Sequence, residues 1–168
     1  MSKRDPGGYR RTWIDHSSDI PASLRDVHEL LADIDRWPSW VPGLAAVHRS
    51  ERGRPAVGDR FTMLIKPAKW HPPLPVPCRI LKIEPTIIEW GGGFPGSEVR
   101  HTFSLTEVAP KKTRVRQIEY ATNLLAVLAR VAEPGIYKHD LRMQNALGEH
   151  AARIAGEPEP RTEGNVST

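Results

Sequence analysis

The sequence has little of several things, and each shortage excludes a class of protein. One cysteine, Cys78, occurs in 168 residues. No intramolecular disulfide can form, which fits a chain that folds in a reducing compartment. The seven histidines lie at no spacing with Cys78 or with one another that suits zinc, so no metal site is expected. Nowhere is there a run of about 18 apolar residues, the length a membrane-crossing helix needs. The opening MSKRDPGGYRR is basic but lacks the apolar core of a signal peptide. A soluble, cytoplasmic protein is the expectation. Basic residues interleaved with aromatics are missing as well. The net charge is +4, with Lys3, Arg4, Arg10 and Arg11 in the leader and the other cations scattered among acids, so nucleic acid is not an expected partner.

What is present is patterned hydrophobicity, in a chain of one-domain length. Residues 12–20, TWIDHSSDI, alternate loosely and carry β-branched side chains, the mark of a strand. The period then changes in PASLRDVHELLADIDRW. Ser23 and Asp26 match a helix-capping pattern, and Val27, Leu30, Leu31 and Ile34 recur at helical spacing. Pro38 stops this helix, and Trp37, Trp40, Val41 and Leu44 read as a short second one ending near Gly43. Strands follow: AAVHRSE, then RFTMLIK with Phe61, Met63 and Ile65 on one face, CRILKIE and TIIEWGG. SEVRHTFSLTEV alternates most cleanly, setting Val99, His101, Phe103 and Leu105 on one face. After the turn APKK, TRVRQIEYA closes the run, while WHPPLPVP reads as a loop or sheet edge because proline has no N–H to donate.

The C-terminal third is helical: NLLAVLARVAE, an interruption at Pro134 and Gly135, then IYKHDLRMQNALGEHAARIA with Ile136, Met143, Leu147 and Ile154 on one stripe. Residues 157–168 lose all apolar periodicity and read as a disordered tail, as residues 1–11 read as a disordered leader. The expected fold class is α+β, with one antiparallel sheet and helices packed on its face across residues 12–156.

The order of these motifs carries a family likeness. A strand ending in DIPAS, a V-x-x-L-L-x-D helix, D-x-W-P-x-W, a W-G-G turn, HTFSL, TRVRQIEY and a terminal helix resemble the START-like, Bet v 1-like (SRPBCC) superfamily of helix-grip proteins. Within it the chain is most similar to the polyketide cyclase/dehydrase and lipid-transport group. The resemblance implies a curved sheet of about seven strands around a long C-terminal helix, two short helices after the first strand, and an internal cavity. Such a cavity is lined by apolar side chains with a few convergent polar groups. It would take its walls from Val41, Leu44, Phe61, Met63, Ile65, Trp90 and Phe103, with Gln117 on a strand and Met143 and Leu147 on the terminal helix. The resemblance puts Trp37 between core and cavity mouth and Trp40 against the ligand.

Alternation places His101 on the same face as Val99, Phe103 and Leu105, and an imidazole on a cavity wall suits general acid/base work on a ketone or enol. In TRVRQIEYA, Val115, Gln117, Glu119 and Ala121 share a face, so Glu119 and Gln117 are candidates to meet His101 across neighbouring strands. By resemblance to aromatase/cyclases, a basic residue on a central strand would stabilise an enolate. Arg79 and Lys82 in CRILKIE are the candidates, and Arg79 is preferred for sharing parity with Leu81 and Ile83. GGGFPG has the glycine spacing of a dinucleotide site but precedes a strand, so no helix N-terminus follows to hold a pyrophosphate. It reads as a hairpin at the cavity rim with Phe94 as a gate, and no cofactor is expected. Two main readings stand open, and the first is favoured over the second. One is a monomeric carrier or sequestering protein for a hydrophobic small molecule, polyketide or lipid-like, in bacterial secondary metabolism. The other is a cyclase, aromatase or dehydratase with His101 as base, Glu119 orienting it and Arg79 stabilising the oxyanion. A third, an interaction module on the same fold, ranks below both.

Overall fold

The computed structural model describes residues 10–51, 53–66 and 72–156. Strand β1 (Arg10–Ile20) sends Ile14 and Ile20 inward, with Asp15, Ser17 and Asp19 exposed on the other face. Ser23 then starts helix α1 (Leu24–Ala32) as its spacing predicts. The Asp26 N–H donates to Ser23 Oγ over 3.2 Å, and the Ser23 hydroxyl donates back to the Asp26 carboxylate over 2.6 Å. One orphan donor of the first turn is thereby satisfied. Val27, Leu30 and Leu31 form the buried face of α1.

The helix ends well before Pro38. Asp33 is its C-cap, and residues Ile34–Ser39 form a separate 3-10 helix with Pro38 inside it. The reason lies in Trp37, whose indole N–H donates to the Leu31 carbonyl over 3.1 Å. That carbonyl is one of those a helix end leaves without an intrahelical partner, and capping it folds the chain back over the last turn. No second helix covers Trp40 to Leu44, because Leu44 already opens a strand.

The remaining strands are β2 (Leu44–Arg49), β3 (Arg60–Ile65), β4 (Leu74–Glu84), β5 (Ile87–Phe94), β6 (Ser97–Ala109) and β7 (Lys112–Thr122). They form one antiparallel seven-stranded sheet in the order β1-β7-β6-β5-β4-β3-β2. Strands β2 to β7 are a meander, and β1 joins its far side. The edges of the sheet are therefore β1 and β2, and α1 with the 3-10 helix carries the chain from one edge to the other. Part of the proline-rich stretch lies outside the described residues, while Leu74 to Pro77 belong to β4. Their place is edge-like all the same: they pair with β3, and the register with β5 begins only at Arg79. Gly92 is needed where β5 bends against this segment, since a Cβ there would lie 2.2 Å from the Pro77 carbonyl oxygen.

Helix α2 (Asn123–Gly156) runs unbroken through Pro134 and Gly135, where an interruption was expected. Packing of its ends and flank against β1, β6 and β7 outweighs the local preference of two residues in a long helix. Met143, Leu147 and Ala151 make its buried stripe, with Gln144 and Ala126 also buried. The side chains of Ile136 and Ile154, expected on that stripe, lie outside those described. At the core, Trp37 meets Phe61 edge-on at 6.1 Å between centroids and Trp90 at 5.4 Å. Such offset and edge geometries suit the quadrupoles of the rings.

Arg49 closes β2 with a clamp. Its side chain is 3% exposed and its guanidinium reaches Asp59 and Asp35, each at 2.8 Å, and the Gly53 carbonyl. The Asp59 carboxylate also accepts from the Ala56 N–H at 2.9 Å. One cation thus ties the β2–β3 loop to the 3-10 helix, and the planar fork of arginine makes this possible.

Candidate functional site

The strand register lines up the inward side chains in rows across the sheet. One row runs Ile80, Trp90, His101, Glu119, Ile14. His101 and Glu119 are direct cross-strand neighbours, with Nε2 and Oε1 2.7 Å apart and side-chain exposures of 13% and 6%. On its other side, the imidazole stacks on Trp90 with ring centroids 3.8 Å apart and planes 10° from parallel. At this distance Nε2–H donates to the carboxylate, which orients the imidazole. A base held by a second group at hydrogen-bond distance is the geometry that proton transfer needs.

The next row runs Ile83, Ile88, Phe103, Gln117, His16. Gln117 is fully buried, and neither its amide nitrogen nor its amide oxygen has a partner among the described residues. In the row beyond, Ser18 donates to Gln144 Oε1 of α2 over 2.9 Å, while Gln144 Nε2 is buried without a partner. The indole nitrogens of Trp40 and Trp90 are likewise buried and unpaired. Trp40 stacks on His150 of α2 at 6.5 Å and 23°. The inner surface is therefore apolar with a short line of polar groups along β6, β7 and α2.

Most of the residues expected to line a cavity converge there. Trp37, Trp40, Val41, Leu44, Phe61, Met63, Trp90, Phe103, Met143 and Leu147 are buried in one cluster, and Ile65 packs against it. Trp37 is 1% exposed and its indole N–H is committed to α1, so it is core. The Phe94 side chain lies outside those described. A cavity closed by residues 128–140 of α2 would also involve side chains outside those described.

Arg79 is corrected. It is exposed on the outer face, opposite Arg60, away from Cys78 and Ile80. Counting alternate residues failed because of an irregularity between Ile80 and Lys82, where Ile80 pairs with Trp90 and Lys82 with Glu89. The extra residue, Leu81, flips the parity, so Ile80 and Ile83 both serve the core while Arg79 does not. Lys82 points outward too, in an exposed pair with Glu84 at 3.1 Å. Arg79 lines a pocket of about 970 Å³ together with His48, Arg60, Thr62 and Gly91 to Gly93. Sequence reasoning missed Ser18 and Gln144. The parity of DHSSDI, with Ile14 and Ile20 inside, was the available signal for Ser18.

Burial pushes the Cys78 thiol up to about 12, which removes it as a nucleophile. Among the described residues no group of three or more His, Cys, Asp or Glu is placed to hold a metal ion. No described helix is long and apolar enough to cross a membrane.

A seven-stranded antiparallel sheet holding a long C-terminal helix, with short helices between its first two strands, is the helix-grip fold of START-like and Bet v 1-like proteins. The chain belongs to the polyketide cyclase / dehydrase and lipid transport family, whose model matches residues 11–147. Among solved structures it is similar to the Zhui aromatase/cyclase from Streptomyces sp. R1128, with a TM-score of 0.70 and 16% identity over 86% of this chain and 95% of that one. A START superfamily protein from Mycobacterium smegmatis gives a TM-score of 0.67 and 15% identity, covering 84% of this chain and 97% of that one. Norcoclaurine synthase from Thalictrum flavum, in complex with dopamine and hydroxybenzaldehyde, gives 0.65 and 14%, covering 94% and 97%. At such identities the likeness shows the fold alone. No curated protein matches the sequence.

Proposed function

We propose that the chain takes a largely apolar, oxygen-bearing small molecule of polyketide type between the sheet and α2, and that His101 moves a proton on it with Glu119 as its orienting partner. The observation that carries this is the buried His101–Glu119 contact at 2.7 Å on the inner face. In such a step the imidazole takes a proton from a carbon beside a ketone, leaving an enolate that attacks a second carbonyl of the same chain. The carboxylate stabilises the imidazolium meanwhile, and the proton is returned to the new alkoxide or to a departing hydroxyl. Cyclisation or dehydration results, the chemistry named in the family's description and in the name of the Streptomyces aromatase/cyclase.

One observation favours a second reading, carriage or sequestration without chemistry. Arg79 and Lys82 both face outward, so neither supplies the cation that an enolate oxygen attracts. The test is to incubate the protein with a linear polyketone mimic and with an aromatic polyketide, analysing products by mass spectrometry beside His101→Ala and Glu119→Gln. A cyclised or dehydrated product that vanishes in His101→Ala supports catalysis. Recovery of unchanged compound with NMR shifts at Trp40 and Trp90 supports carriage. Binding of neither compound refutes both readings.

A further inference from the structure

Gln117 is a polar residue of the inner face that the proton-transfer chemistry does not use. It stands between Val115 and Glu119 on the inward side of β7, flanked in register by Phe103 and His16. The residue is 0% exposed, yet both ends of its amide lack a partner among the described residues. A folded chain does not keep a primary amide in an apolar surround for packing, because leucine fills nearly the same volume without the desolvation cost. Orphaned buried groups of this kind are rare and call for a reason. Gln144 repeats the pattern a row away: Ser18 occupies its carbonyl, and its NH₂ is left over.

We infer that the Gln117 amide, assisted by the Gln144 NH₂, is the receptor for oxygen atoms of the ligand and selects oxygenated ring or polyketone compounds over plain hydrocarbon and acyl-chain ligands. This rests on the reading that a small molecule enters between sheet and α2. The unused capacity is two amide NH₂ groups and one amide carbonyl. A carbonyl or phenol oxygen meets the NH₂ donors and a hydroxyl meets the acceptor, whereas a fatty acyl tail meets none of them. Gln117 and Glu119 lie two residues apart on one strand face, about 7 Å. A ligand oxygen on Gln117 therefore fixes a carbon one or two bonds further on in reach of the His101–Glu119 pair. Gln117 is in this scheme a specificity and positioning residue.

The test uses a matched pair of probes, 1,3-dihydroxynaphthalene and naphthalene, titrated into the intact protein by calorimetry and by heteronuclear NMR that follows the glutamine side-chain amides. The wild type is expected to bind the diol about tenfold or more tighter than naphthalene, as one buried neutral hydrogen bond gives. The Gln117 side-chain resonances should shift with the diol and stay still with naphthalene. Gln117→Leu should abolish the preference by weakening the diol alone. The NMR readout needs no variant, so it decides the matter if Gln117→Leu fails to fold. Equal binding of both probes, with the Gln117 amide unmoved, overturns this inference and leaves the ligand-binding reading standing. Binding of neither probe, nor of the compounds named under the proposed function, overturns both.

Discussion

Replacing His101 by phenylalanine, Glu119 by leucine, and then both together separates the energetic role of this pair from the chemistry proposed for it. The two side chains touch at 2.7 Å with 13% and 6% exposure, so each is largely withdrawn from water and held against the other. His101→Phe keeps an aromatic ring against Trp90 but takes the 2.7 Å imidazole donor away from the buried Glu119 carboxylate, a loss of about 3 kcal/mol. Glu119→Leu leaves an imidazole that can stay neutral, a smaller loss of about 1–2 kcal/mol. The double variant replaces the pair by two apolar side chains of similar volume and should fall within about 1 kcal/mol of wild type. The coupling energy is therefore expected at about 3–5 kcal/mol in magnitude. Urea unfolding of the four proteins, followed by tryptophan emission, measures it. For a domain of this size the His101→Phe loss corresponds to a Tm lower by roughly 6–12 °C. Additive single effects, with coupling below about 0.5 kcal/mol, would refute the reasoning. A stable double variant that has lost turnover would show the pair is kept for chemistry and not for stability.

Three further outcomes follow from the structure. Cys78 is buried and its thiol pushed to about 12 from an ordinary 9.0. Its thiolate fraction near pH 8 falls about a thousandfold, and a disulfide reagent should label it only as fast as the sheet opens. Arg49→Met strands Asp59, 15% exposed, and Asp35 without their cation. A loss of about 2–3 kcal/mol is expected in thermal unfolding, only partly recovered by Arg49→Lys because lysine cannot fork. Hydrogen bonds from Arg116 to Asp15, and from Arg114 and Lys112 to Asp19, hold both carboxyls below the ordinary 3.8. Folded-state values below unfolded ones mean a contribution complete above the unfolded value and lost as pH falls through the lowered one. Below about pH 4 the Tm should drop, and more gently in a variant carrying Asp15→Asn and Asp19→Asn. These groups are exposed, so the difference will be small.

The sheet was legible where its two faces differ in chemistry. SEVRHTFSL and TRVRQIEYA alternate so regularly that the inward face could be read, and with it the candidacy of His101, Gln117 and Glu119. Which residues meet across the strands depends on the β6–β7 turn, where Ala109 pairs with Lys112 after an irregularity at residue 108, and no periodicity reports that. CRILKIE misled because the extra residue at Leu81 leaves no trace in a period-2 count. The end of α1 was misplaced because it is set by a tertiary contact, the Trp37 indole on the Leu31 carbonyl, while Pro38 was the visible signal. The unanswered Gln117 amide and Gln144 NH₂ were invisible for a different reason: a glutamine is read as polar, and only packing shows whether anything answers it.

The order of the sheet has a kinetic consequence. Every pairing from β2 to β7 joins neighbours in sequence, but β1 pairs with β7 across a separation as wide as Arg10 to Thr122. Closing that loop costs entropy that no local hairpin contact offsets beforehand. We predict that the meander protects its amides first and that β1, carrying Ile14, His16 and Ser18 to the inner face, docks last. Pulse-labelled hydrogen exchange showing β1 protected together with β6 would disprove this order. The wall that bears His101, Gln117 and Glu119 would thus be assembled before β1 seals its side, and native-state opening would begin at the same seam.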